Sequence, residues 1–225
     1  MSHGKQFTLY THNRGPNGWK VVIALEELGL TYEPIYLDLT TKQEHKAPEY
    51  TKYNPNGRIP TLIDHKNNDL VIWESCAILT YLVDKYDPEH KISAATEADK
   101  YHQLQWLFFQ ASGQGPYFGQ LGWFAYFHPE KIASAQERYR NEILRVLGVL
   151  EGVLAKQEWL VAGKPTIADL SFLTWNQFAL HILPAQIEGF NFEQQFPAVF
   201  AWHAKLEARD AVKKMTADKA AVNPN

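Results

Sequence analysis

The apolar positions of this chain change their spacing near residue 96. Before it, short apolar runs are separated by turn-forming residues; after it, long stretches repeat at helical intervals. Residues 7–10 (Phe-Thr-Leu-Tyr) suit a short strand. A loop follows over residues 11–16, and then Trp19, Val22, Ile23 and Leu28 recur at helical spacing, with Gly29 as a stop. Tyr32 to Leu39 alternates and predicts a second strand. Residues 59–63 and 70–73 flank the turn Lys66-Asn67-Asn68-Asp69 and predict an antiparallel hairpin, followed by a helix from Ser75 to about Lys85.

The order β-α-β followed by β-β-α is that of a thioredoxin-like domain, its first crossover setting two parallel strands side by side. Beyond it, residues 96–124, 129–156, 166–181 and 196–208 predict four or more helices, the second part being an all-α bundle. The fold class expected is therefore α/β plus all-α. The domains run over 1–86 and 96–225, with the polar, Pro-bearing stretch 87–95 as linker. The Ala- and Lys-rich tail after Met215 is expected to fray. Thr166-Ile167-Ala168-Asp169 fits a capping box with Asp in place of Glu and has a structural role.

Composition narrows the classes. A chain of 225 residues with 45% hydrophobic and 21% charged residues has enough material for packed cores. A net charge of −3 gives no reason to expect nucleic acid or an anionic membrane as partner. Residues 1–6 lack the apolar stretch of a secretory signal, and no segment approaches the ~20 apolar residues of a membrane span. Cys76 is the single cysteine, so an internal disulfide and a Cys-only metal site are excluded. The histidines are scattered, and no metal is expected. These features point to a reducing compartment, with the cytoplasm as default.

Two helix starts carry candidate chemistry. Asn17 follows Pro16 at the head of the first helix, where it can serve as an N-cap. The same position can bind an anion, because unpaired N–H groups and the helix dipole favour negative charge there, and the Asn amide can donate to a ligand thiolate. Glu74-Ser75 opens a later helix. Ser75 can cap it with Glu74 solvated beside it; alternatively Ser75 holds a ligand carboxylate while Glu74 meets an ammonium. Arg58 can pair with a second carboxylate, and His45 can add a donor. If the Ile59-Pro60 bond is cis, the Ile59 backbone is aimed outward, where an extended peptide can pair with it. The aromatic run that includes Trp106, Phe109, Tyr117 and Trp123 is mainly core, interrupted by Ser112-Gly113-Gln114-Gly115-Pro116, which should bend or break its helix and open an apolar pocket. Cys76 suits a small packed residue rather than a nucleophile.

Taken together these residues resemble the glutathione transferase family over nearly the whole chain. Asn54-Pro55-Asn56-Gly57-Arg58-Ile59-Pro60 is similar to the family's stretch bearing a cis proline, Glu74-Ser75-Cys76-Ala77-Ile78 to its acidic-serine motif, and residues 163–170 to its capping box. Pro16-Asn17-Gly18, Ile72-Trp73-Glu74-Ser75, Gln105 to Gln110, and Tyr126-Phe127-His128 through Glu137-Arg138-Tyr139 resemble the fungal class named after the yeast nitrogen-catabolite regulator and the related bacterial nu class.

The resemblance implies a homodimer with glutathione as cosubstrate. Asn17 would lie at the thiol, the Ile59 backbone at the cysteinyl unit, and Arg58 with His45 at the glycine end. Glu74 and Ser75 would hold the γ-glutamyl end. Arg138 would reach across the dimer to a second glutathione or a disulfide substrate. Gly15 stands where nu-class relatives place Thr, and Asn13 or Arg14 can substitute for the lost donor beside the second substrate. Tyr10 is explained as a strand residue. Three functions remain open on these grounds: a glutathione-dependent disulfide reductase that cycles with glutathione disulfide, a transferase or peroxidase acting on apolar electrophiles, and a regulatory or carrier protein.

Overall fold

The computed structural model describes residues 4–223. They form two compact units, one of residues up to Ile92 together with those from Arg209 onward, the other Ser93–Ala208.

The first unit contains β1 (Phe7–Thr11), α1 (Pro16–Glu27), β2 (Tyr32–Tyr36), a short α2 (Pro48–Thr51), β3 (Thr61–Asp64), β4 (Leu70–Trp73) and α3 (Ser75–Tyr86). The sheet order is β2-β1-β3-β4, with β1 parallel to β2 and antiparallel to β3, and β3 antiparallel to β4. Phe7 and Leu9 of β1, Leu62 of β3, Val22 and Ile23 of α1, and Ile78, Leu79 and Leu82 of α3 are all buried and make the core. Each such side chain is worth roughly 1.5–3 kcal/mol of burial.

Two strands are shorter than expected. β2 stops at Tyr36, although the Leu37 N–H still bonds to the Thr11 carbonyl at 2.9 Å. Asp38 then turns the chain, its Oδ1 accepting from the N–H groups of Thr40 (2.9 Å) and Thr41 (2.8 Å). β3 begins at Thr61 rather than residue 59, because Pro60 has no N–H to give a ladder. The Ile59-Pro60 bond is cis.

The loop before β3 is held by side chains instead. Asn54, 2% exposed, donates from Nδ2 to the Arg58 carbonyl at 2.8 Å and to Thr61 Oγ1 at 3.1 Å. Its Oδ1 accepts from the Asn56 N–H at 3.0 Å. The Tyr50 hydroxyl donates to the same Arg58 carbonyl and lies 2.7 Å from Thr61 Oγ1.

The last helix corrects the expectation of a frayed tail in the helical domain. α10 (Asp210–Ala221) is ordered to Ala221 and packs on α1 of the first unit. Val212 and Met215 are buried. Arg209 makes a two-pronged pair with Glu27, at 2.5 and 2.7 Å, and Lys214 reaches Glu26 at 2.9 Å. Long-range partners, not local propensity, hold this helix.

The second unit is helical: α4 (Glu97–Phe109), α5 (Gly115–Gly122), α6 (Ala133–Leu154), α7 (Ile167–Gln186), α8 (Phe192–Gln195) and α9 (Pro197–Glu207). The expected break at residues 112–116 is a π-turn over Gln110–Gln114, with Pro116 in the first turn of α5, where its missing N–H costs nothing. The capping box at Thr166 forms with both of its hydrogen bonds. Asp169 does more than cap: its Oδ1 also accepts from Leu160 N–H at 2.9 Å and from Trp202 Nε1 at 3.0 Å.

Two stability predictions follow from these networks. Asp169→Ala strands several buried donors and should lower unfolding free energy by roughly 2–4 kcal/mol, measured by chemical denaturation. Asn54→Ala should cost roughly 1–3 kcal/mol. Its signature is local: amide exchange at Asn56 and Gly57 should accelerate more than exchange in α7.

Candidate functional site

The strand registers define one end of the sheet. Tyr10 faces Thr61, and Thr61 faces Trp73. One step further along each strand, Thr11, Pro60 and Glu74 lie side by side. The loops that leave this end carry every candidate of the first unit.

α1 starts beside Thr11. A Cβ on Gly18 would sit 1.8 Å from Thr11 Oγ1, so only glycine lets the helix start press onto the strand end. The cap is Gly15, in extended conformation, with Pro16 as the first helical residue and no capping side chain. Asn17 is therefore not the cap. It is half-buried inside the first turn, as the second helical residue, two positions past the cap. Gly15 also touches the loop before β3, for a Cβ there would lie 2.9 Å from Ile59 Cδ1. The start of α1 and Ile59 are thus neighbours. Ile59 is half-buried, and its backbone N–H and C=O bond to no other described residue.

Basic groups collect next to Ile59. Arg58 is exposed, and Gly57, at φ 59°, leaves only 2.9 Å between a would-be Cβ and the His45 carbonyl. Burial, then the charges of Lys46 and Arg58, hold the His45 imidazole below its ordinary pKa. His45 Nδ1 is buried with no hydrogen-bond partner among the described residues. His12 is likewise lowered, by burial and by Arg14, with Asp38 opposing. His12 and Arg14 line a cleft of about 470 Å³ with Tyr36, Leu37 and Asp38. This corner suits an anion.

On the other side stands Glu74. It is exposed and caps α3 with φ 72° and ψ 114°, a conformation that costs a non-glycine residue about 1–3 kcal/mol. Ser75 is the first residue of the helix rather than its cap, a shift by one position. It is 7% exposed, and its Oγ accepts from Lys20 Nζ at 3.1 Å. Lys20 lies one turn after Asn17 on the same face of α1. It ties that face to the start of α3. Burial pulls the Lys20 pKa down, while Cys76 and Glu74 pull it up. The sequence signal for Lys20 was a lysine inside the apolar run Trp19 to Leu25.

Asn17, His45, Arg58, Ile59, Glu74 and Ser75 are thus brought together in the first unit. Tyr10 stacks on Tyr53, and burial raises its pKa, as do Tyr53 and Tyr50; it is a packed strand residue. Asn13 is committed elsewhere: its amide donates to the Val222 carbonyl at 3.3 Å, and its carbonyl accepts from Trp19 Nε1 and Asn223 Nδ2, both at 2.9 Å. In the second unit Trp106 is core, edge-on to Phe109 and Phe172. Tyr117 leans on Tyr139, Trp123 is exposed and stacks on Phe127, and Arg138 is exposed on α6. Among the described residues no group of His, Cys, Asp and Glu side chains is arranged to hold a metal ion. No helix of them is long and apolar enough to cross a membrane.

The sheet-end geometry agrees with the relatives of the chain. Residues 5–84 match the family model for the N-terminal domain of glutathione S-transferase, and residues 116–210 match the model for its C-terminal domain. Glutathione S-transferase 1 of Schizosaccharomyces pombe is 54% identical over 217 residues, covering 92% of this chain and 94% of that protein. The transcriptional regulator URE2 of Saccharomyces cerevisiae is 41% identical over 243 residues, covering 92% of this chain and 67% of that protein. The crystal structure of the glutathione transferase URE2P6 from Phanerochaete chrysosporium, in complex with oxidized glutathione, superposes with a TM-score of 0.94 at 64% identity, covering 99% of this chain and 100% of that one. By its two domain matches and these identities, the chain belongs to the glutathione S-transferase family, among the fungal Ure2-like transferases.

Proposed function

We propose that this transferase binds glutathione along the sheet end and uses its thiolate to reduce small disulfides. The observation that carries the reading is the start of α1: Asn17 sits in an uncapped first turn, and no cysteine occupies the loop before it. The reactive sulfur must then come from the ligand. Glutathione laid from Glu74-Ser75 past the unpaired Ile59 backbone toward His45 and Arg58 puts its cysteine beside Asn17.

The energetics are sufficient. A thiol of pKa about 8.5 must be lowered by about two units to be mostly thiolate at neutral pH, which takes roughly 2.7 kcal/mol. The helix start supplies roughly 0.3–1 kcal/mol and a charge-assisted hydrogen bond from Asn17 roughly 1.5–3 kcal/mol. No ionisable base is required. The bound thiolate attacks a disulfide, forms a mixed disulfide and expels one thiolate. A second glutathione thiolate attacks the glutathione sulfur of that mixed disulfide, giving glutathione disulfide and releasing the other thiolate. Oxidized glutathione is the ligand in the URE2P6 structure, which supports this cycle. Arg138, exposed on α6, is the residue proposed to reach the second glutathione across a homodimer. The single cysteine favours a cytoplasmic setting.

A second reading is conjugation of the thiolate to apolar electrophiles, favoured by the exposed rings of Phe108, Trp123, Tyr126 and Phe127 and by the name of the S. pombe relative. A regulatory role is the third, favoured by the URE2 relationship.

Steady-state reduction of hydroxyethyl disulfide by glutathione separates them. The wild type should turn over, Asn17→Ala should lose roughly ten- to a hundredfold in rate, and Cys76→Ala should stay within about twofold. Turnover of chlorodinitrobenzene alone would move the activity to conjugation. Glutathione binding with neither activity would move it to regulation.

A further inference from the structure

Lys20 is costly where it stands. The residue is 1% exposed, in a helix segment otherwise filled by Trp19, Val21, Val22 and Ile23, where an apolar side chain of the same length would pack without desolvating a charge. It donates to Ser75 Oγ at 3.1 Å. A hydroxyl has one hydrogen and two lone pairs. With one lone pair taken by Lys20, the Ser75 hydrogen cannot serve the ammonium and is left for another acceptor. Ser75 also begins α3, whose first N–H groups carry partial positive charge. Glu74 stands beside this positive centre with its carboxylate exposed. A buried cation behind a hydroxyl, with an exposed anion alongside, is the complement of an α-amino acid head group.

Resting on the glutathione reading above, we propose that Lys20 is a positioning residue that makes the Ser75 hydroxyl a committed donor to the α-carboxylate of γ-glutamyl ligands and so selects that class of compound. Lys20 acts through Ser75 and by its charge; it does not touch the reacting sulfur. The alternative is a structural pin between α1 and α3, which would be indifferent to the ligand's carboxylate.

The test uses two ligands, glutathione and γ-aminobutyryl-cysteinylglycine, the same tripeptide without the α-carboxylate. Dissociation constants are measured by calorimetry for wild type, Lys20→Met and Ser75→Ala, with thermal unfolding to report the fold. The wild type should prefer glutathione. Lys20→Met should weaken glutathione roughly tenfold or more while leaving the analogue within about twofold. Equal weakening of both ligands, or no weakening of either, would overturn the inference and leave the glutathione site standing. A wild type that binds neither ligand would overturn the glutathione reading itself. Should Lys20→Met fail to fold, Ser75→Ala must show the same carboxylate-selective loss; a Ser75→Ala protein that keeps the wild-type preference would refute the relay.

Discussion

The carbonyl of Arg58 takes hydrogen bonds from both Asn54 and Tyr50, and the arrangement of the sheet end depends on them. Pro60 cannot extend the ladder, so the residues immediately before β3 have no strand partner to hold them. Side chains replace the missing bonds, anchored in turn to Thr61 Oγ1 inside the strand. With that segment pinned, Ile59 stays against Gly15, and the cap of α1 stays against the loop. The two antiparallel registers then set Glu74 beside Pro60. A cluster of side-chain hydrogen bonds thereby determines how the loop before β3 is held.

Charge is distributed in a sequence along the same edge. Glu74 is exposed, Lys20 lies buried behind it, and the histidines and arginines of residues 12–14, 45 and 58 stand at the far corner. Burial lowers the pKa of both histidines, so neutral imidazoles are favoured and the standing positive charge comes from Arg14, Lys46 and Arg58. The middle of the edge carries little charge of its own, and its features are backbone groups and the helix start. A zwitterionic peptide with a neutral middle matches such a sequence of potentials.

Much of this was legible in the residues. The change of apolar period marked the element order, and the Asn54 to Pro60 stretch marked the loop before β3. The errors have physical causes. Asn17 lies two positions past its cap and Ser75 one, because Pro16 favours the first helical position and Glu74 adopts a backbone conformation that composition does not announce. α10 was missed since its Ala- and Lys-rich sequence has only Val212 and Met215 as buried apolar anchors. Its remaining support comes from Glu26, Glu27 and Asn13, nearly the whole chain away. Asn13 looked like a free donor for a ligand, and that same distant helix occupies it.

Because Arg209 and α10 return to α1, the first unit is written in two pieces with the whole second unit between them. On the ribosome, the sheet and its first helices emerge early, yet α1 keeps an uncovered flank until the remaining piece arrives. At ordinary elongation speeds that wait lasts roughly ten seconds. During it, the carboxylates of Glu26 and Glu27 have no basic partner from the distant segment, and the loop bearing Asn13 lacks its clasp. The packing around α1 is therefore completed late in synthesis, only after the whole helical unit has been made.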